Sequence, residues 1–70
     1  MNYITNRIKI LRDIKCLSGT QLAGKVGVTV PYIYMIENGQ KTPSLRVANK
    51  IAKVLGETIE YVFGLDNEVA

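Results

Sequence analysis

Apolar residues recur every three or four positions in short runs, each opened by a hydroxyl or amide side chain or closed by glycine, which predicts several short amphipathic helices. Over residues 4–17, Ile4, Ile8, Leu11 and Ile14 or Lys15 fall at helical spacing, with Thr5 or Asn6 placed to cap the start. Ser18 caps a second segment over about residues 19–26; Gln21 can complete a capping box, and Leu22, Ala23 and Val26 supply the apolar stripe. Gly27 stops it, because glycine takes the left-handed conformation without steric cost. Thr29 caps a third segment over about residues 30–38, with Pro31 in the first turn, Ile33 and Ile36 inward and Gly39 at the end. Thr42-Pro43 reads as cap and first residue of a fourth helix. Its stripe runs through Leu45, Val47 or Ala48, Ile51, Ala52 and Leu55 to Gly56. Thr58 caps a short fifth, where Ile59, Val62 and Phe63 close the core, and residues 66–70 carry no recognisable signal.

Residues 18–39 are therefore two helices joined by a tight glycine turn, which is a helix-turn-helix whose second helix can enter the DNA major groove. At these residues the chain resembles the lambda-repressor-like, or xenobiotic-response-element, family of regulators. The likeness is carried by Leu22-Ala23, Gly27-Val28, Ile33, Ile36-Glu37-Asn38-Gly39 and Pro43-Ser44-Leu45, in that order and spacing. It spans residue 7 to about residue 63 and implies an all-α, compact five-helix fold, with the helix-turn-helix as helices two and three. It also implies sequence-specific binding to double-stranded DNA, usually by a dimer that regulates transcription.

The resemblance assigns roles position by position. Thr29, Val30, Pro31, Tyr34 and Met35 match base-contacting positions. Tyr32, Asn38 and Lys41 match positions that touch phosphate, and Ser18, Thr20, Gln21 and Thr42 stand beside them. Loop backbone N–H groups offer further phosphate donors. Arg12 stands where the family often pairs an Arg with the Glu of I-E-N-G, here Glu37. An acid beside Ile33 and Ile36 needs such a partner, and partial exposure would set the pair's worth at about 1–3 kcal/mol. Gly19 departs from the pattern, because the family commonly has a phosphate-gripping Gln there. The open face of the third helix departs too: Val, Pro and Met cannot form bidentate hydrogen bonds to purines and can only pack, most naturally on thymine methyls. Tyr61, Val62 and Leu65 look too apolar for a free end and are expected to form a homodimer interface over about residues 58–65.

Composition narrows the picture. Seventy residues make one small domain, which buries only about 60% of its unfolded surface. Cys16 is alone and histidine is absent, so neither a disulfide framework nor a usual zinc site is available. No cofactor, metal or small-molecule ligand is expected. An enzyme is excluded by the lack of a nucleophile paired with a base, of clustered carboxylates and of a glycine-rich phosphate loop. No apolar run approaches a membrane span and no signal peptide opens the chain, so a cytoplasmic protein without a membrane partner is expected. Residues 1–56 hold all nine Lys and Arg against two acids, net +7, whereas residues 57–70 hold four acids and no base, net −4. A basic body with an acidic end suits a polyanion on one side. The expected function is therefore a prokaryotic or phage-type operator-binding regulator, most naturally a repressor. The alternative is a helix-turn-helix turned to protein binding, such as an antitoxin or antirepressor. The apolar open face and Gly19 speak for that alternative.

Overall fold

The computed structural model describes residues 6–65. They form α1 (Ile8–Ile14), α2 (Gly19–Val26), α3 (Val30–Glu37), α4 (Leu45–Leu55) and α5 (Ile59–Val62). α2 packs against both α3 and α4, and α4 also meets α1 and α5, so α3 is left with a face turned away from the bundle. Ile8, Leu11, Leu22, Val26, Ile33, Ile36, Ile51, Leu55 and Val62 meet in a single core.

The caps decide where the helices begin. Ser18 Oγ accepts from the Gln21 N–H at 3.0 Å while Gln21 Oε1 accepts from the Ser18 N–H at 2.8 Å, completing the capping box. Thr29 and Thr58 cap α3 and α5 in the same sense, through the N–H groups of Tyr32 and Tyr61. The start of α4 differs from expectation. Ser44, not Thr42, is its cap, accepting from the Val47 N–H at 3.2 Å. The Ser44 hydroxyl takes the cap two residues downstream, so Pro43 stands before the helix instead of opening it and Thr42 stays in the loop. Leu45 becomes the first helical residue, one turn ahead of the buried Ala48, and is 70% exposed instead of lying in the stripe.

α1 is shorter than residues 4–17. Asn6 Oδ1 accepts from the Ile8 N–H at 3.1 Å and its Nδ2 donates to the Ile36 carbonyl at 2.8 Å, which fixes the start of α1 to the end of α3. Ile4 and Thr5 lie outside the described residues. The helix ends in a Schellman turn: the Leu17 N–H donates to the Arg12 carbonyl and the Cys16 N–H to that of Asp13. Cys16 holds the left-handed position of that turn at φ 56°, where glycine is usual. Ile8, Leu11 and Arg12 form the inner face, so Ile14, on the far side of the helix, is 71% exposed and is not a core residue. Lys15 is exposed as well, its ammonium lying near Gly56.

Arg12 is buried. Its Nε donates to Glu37 Oε2 at 2.6 Å, its Nη2 to Oε1 at 3.2 Å, and its Nη1 to the Leu17 carbonyl at 3.0 Å. The two side chains are 8% and 7% exposed, so the expected pair is present and is far less exposed than expected. The hydrogen bond to Glu37 raises the Arg12 pKa above the ordinary guanidinium range, with burial opposing. A raised pKa gives stability that is complete below the unfolded value and is lost only as pH climbs through the folded one. Arg12 therefore adds no pH dependence to stability near neutrality.

Arg7 makes a second tie. Its N–H donates to the Val62 carbonyl at 2.7 Å, its Nη1 to the Tyr61 carbonyl at 2.6 Å, and its guanidinium lies 4.3 Å from the Tyr61 ring centre. α5 is thus pinned to the start of α1, and Val62 is wholly buried. Val62 therefore has no surface to give a subunit interface, contrary to expectation, whereas Tyr61 and Leu65 remain exposed.

Two substitutions test these points. Glu37→Gln leaves a buried guanidinium without its countercharge and is expected to cost about 3 kcal/mol, read as a lower urea midpoint at an unchanged slope. Cys16→Gly should instead stabilise the fold by about 0.5 kcal/mol, read as a higher midpoint. Relief of the left-handed strain, about 1–2 kcal/mol, outweighs the extra chain entropy glycine brings to the unfolded state.

Candidate nucleic-acid interface

The first turn of α2, the outer side of α3 and the loop after it supply the candidate side chains. The capping box governs what α2 can offer. Ser18 Oγ and Gln21 Oε1 are both engaged as acceptors, which leaves the Ser18 hydroxyl proton and the Gln21 amide N–H groups pointing at an exposed surface. Thr20 is exposed beside them. Donors without competing acceptors suit an anion such as phosphate.

Along α3 the expected readers are not equivalent. Thr29 is exposed but its Oγ1 is occupied as the cap, again leaving a donor. Pro31 is exposed, and Tyr34 and Met35 are 44% and 38% exposed. Val30 is half-buried against the core, so it borders the open face instead of standing on it. Tyr32 also packs partly on the core.

Tyr34 has a neighbour that sequence reasoning missed. A Cβ built on Gly19 would lie 2.5 Å from the Tyr34 hydroxyl oxygen and 2.7 Å from two of its ring carbons. The ring therefore occupies the space of a side chain at position 19, and Gly19 is buried beneath it. A glycine inside a helix beside a tyrosine fifteen residues away was the only trace of this in the sequence.

In the loop, Asn38, Lys41 and Thr42 are exposed, and Lys41 and Thr42 line a shallow groove with Asn6, Pro43 and Phe63. The backbone is less available than expected. The Gly39 N–H donates to the Ile36 carbonyl, and those of Gln40 and Lys41 both reach the Met35 carbonyl, closing α3 in another Schellman turn. These three N–H groups are consumed, so phosphate contacts here fall to side chains. Thr42, released from capping α4, keeps its hydroxyl for that purpose.

Among the described residues no helix is long and apolar enough to cross a membrane. A helix-turn-helix family model matches residues 8–62. The chain is 43% identical over 58 residues to an uncharacterised HTH-type transcriptional regulator of Methanocaldococcus jannaschii, covering 83% of this chain and 88% of that one. It is 40% identical over 63 residues to the HTH-type regulator YgzD of Bacillus subtilis, covering 90% and 96%. Among solved structures it superposes on the restriction-modification controller protein C.AhdI of Aeromonas hydrophila with a TM-score of 0.75 at 33% identity, over 81% of this chain and 86% of that one. It also superposes on a chain of the SinR–SinI protein complex with a TM-score of 0.73 at 34% identity, over 83% of this chain and 57% of that one. The chain belongs to the Cro/C1-type, xenobiotic-response-element-like family of helix-turn-helix transcriptional regulators and has that family's DNA-binding fold.

Proposed function

We propose that this chain is a cytoplasmic repressor that binds operator DNA as a homodimer, laying α3 in the major groove. The observation that carries the reading is the division of labour on one surface. Neutral donors on Ser18, Thr20, Gln21, Asn38 and Thr42, together with Lys41, suit phosphates. Between them, Pro31 and Met35 present an apolar strip, with Thr29 and Val30 at its border. Without Arg, Lys, Asn or Gln on that strip, readout is by packing on thymine methyls and by DNA shape. The family of transcriptional regulators to which the chain belongs supports the same reading.

The homodimer draws on Tyr61 and Leu65, which remain exposed on the acidic end of the chain. Two copies of α3 would then stand about 34 Å apart and read a two-fold site. A second reading, a protein-binding module such as an antitoxin or antirepressor, draws on the same apolar strip and on the likeness to a chain from the SinR–SinI complex.

Selection of bound sites from random duplex DNA separates the two readings. Enriched inverted repeats are expected, and no enrichment at low salt would favour protein binding. On the selected site Met35→Ala should cost about fivefold and narrow the gap to a scrambled site, since it removes about 1 kcal/mol of apolar contact. Lys41→Ala should weaken both sequences alike and reduce the salt slope by about 1. Sedimentation of the free protein should give a dimer at high micromolar concentration, with Leu65→Glu shifting it to monomer. A monomer that binds DNA one to one would rule the dimer out.

A further inference from the structure

We infer that Tyr34 is a phosphate-binding residue and not a base reader, and that Gly19 is glycine because it seats the Tyr34 ring. The inference rests on the DNA-binding reading and assigns one residue within it. Three observations carry it. The ring fills the side-chain space of position 19, at distances no real Cβ could share, so Tyr34 leans off α3 onto the first turn of α2. A side chain drawn to α2 is drawn away from the strip formed by Pro31 and Met35. Its hydroxyl makes no hydrogen bond among the described residues although the residue is only 44% exposed, so the seat is held by packing and the O–H is left as a donor. The groups around it point to the same kind of ligand. Ser18 and Gln21, on the same turn, present donors whose acceptors the capping box has consumed, and the Thr20 hydroxyl is exposed between them. A phenol among such groups meets an acceptor-only partner best, and the phosphate backbone is the acceptor-only part of DNA.

The inference explains the missing side chain at position 19. A turn with glycine there has no reach of its own, and Tyr34 supplies one from α3.

Tyr34→Phe keeps the ring on its seat and deletes only the donor, so the variant should fold as the parent does. Measured with the full chain on the selected duplex and on a scrambled one, it should bind each about tenfold more weakly, leaving the ratio between them unchanged. Duplexes in which single phosphates are replaced by neutral methylphosphonates then locate the acceptor. At one position the parent should lose affinity and the Phe variant should not. Gly19→Ala, which pushes the ring off its seat, should reproduce the loss when Tyr34 is present and add little to Tyr34→Phe. A loss confined to the selected duplex would make the hydroxyl a base reader, and unchanged binding to both would leave it without a role. Either result overturns the inference, as does a methylphosphonate series in which the two proteins never differ. Failure of the parent to bind any duplex overturns the proposed function instead, and it shows before a variant is made.

Discussion

The buried pair of Arg12 and Glu37 fixes the geometry on which the rest depends. Helices as short as these are marginal alone, and α3 buries only Ile33 and Ile36 fully, with Val30 and Tyr32 packed at the edge of the core. The two full contacts define a line, and a helix resting mainly on a line can roll about it. The fork of Arg12 on the Glu37 carboxylate, with Nη1 on the Leu17 carbonyl, adds a third point off that line. Asn6 adds a fourth through the Ile36 carbonyl. Because desolvating two charges is costly, the pair is a weak source of net stability but a strong discriminator, since few other arrangements satisfy every donor. Among the described residues no buried side-chain nitrogen or oxygen lacks a partner. The direction in which Met35 and Pro31 face is thereby set from α1.

A second constraint is local and repeats along the chain. Four helices are capped by Ser or Thr hydroxyls, and each of the five helices is followed by a residue in the left-handed conformation. Such motifs satisfy the orphan N–H and carbonyl groups within a few residues, so they spare a small core that burden. They also decide what remains for a ligand. Caps consume acceptors and leave hydroxyl and amide donors outward, whereas the Schellman turn after α3 consumes backbone donors and leaves the loop dependent on side chains.

This division explains what was legible beforehand. The helix-turn-helix could be read almost to the residue, because Ser18, Gln21, Gly27, Thr29 and Gly39 each act on immediate neighbours. The Arg12–Glu37 pair was legible for a different reason: an acid on an apolar face demands a partner wherever it is. The misreadings share a cause. Thr42 against Ser44 turned on which of two nearby hydroxyls takes the cap. Ile14 and Leu45 are apolar residues whose burial depends on which neighbouring helix is there to cover them, and periodicity alone does not report that; Val62 is in the core as expected, which takes it out of the interface it was also given. Nor does it report the meeting of Gly19 and Tyr34, since a glycine in a first turn gives no sign of what has filled its place.

Charge looks different once the structure is known. The net +7 of residues 1–56 suggests a heavily cationic grip, yet Arg12 is neutralised inside the fold, Arg7 lies on Tyr61, and Lys9 pairs with Asp13 at 3.3 Å. Lys15, Lys25, Lys41, Arg46, Lys50 and Lys53 are exposed, and of these only Lys41 belongs to the candidate surface. Most of the positive charge therefore acts at a distance, raising the rate of encounter with a polyanion and fading with salt. Contacts made at short range are largely neutral donors held by caps. They release few counterions, so the salt slope should be shallower than the roughly −10 of a heavily charged repressor. Register on the duplex then comes from the rigidity of the two helices, which returns the weight to the buried pair that holds α3 in place.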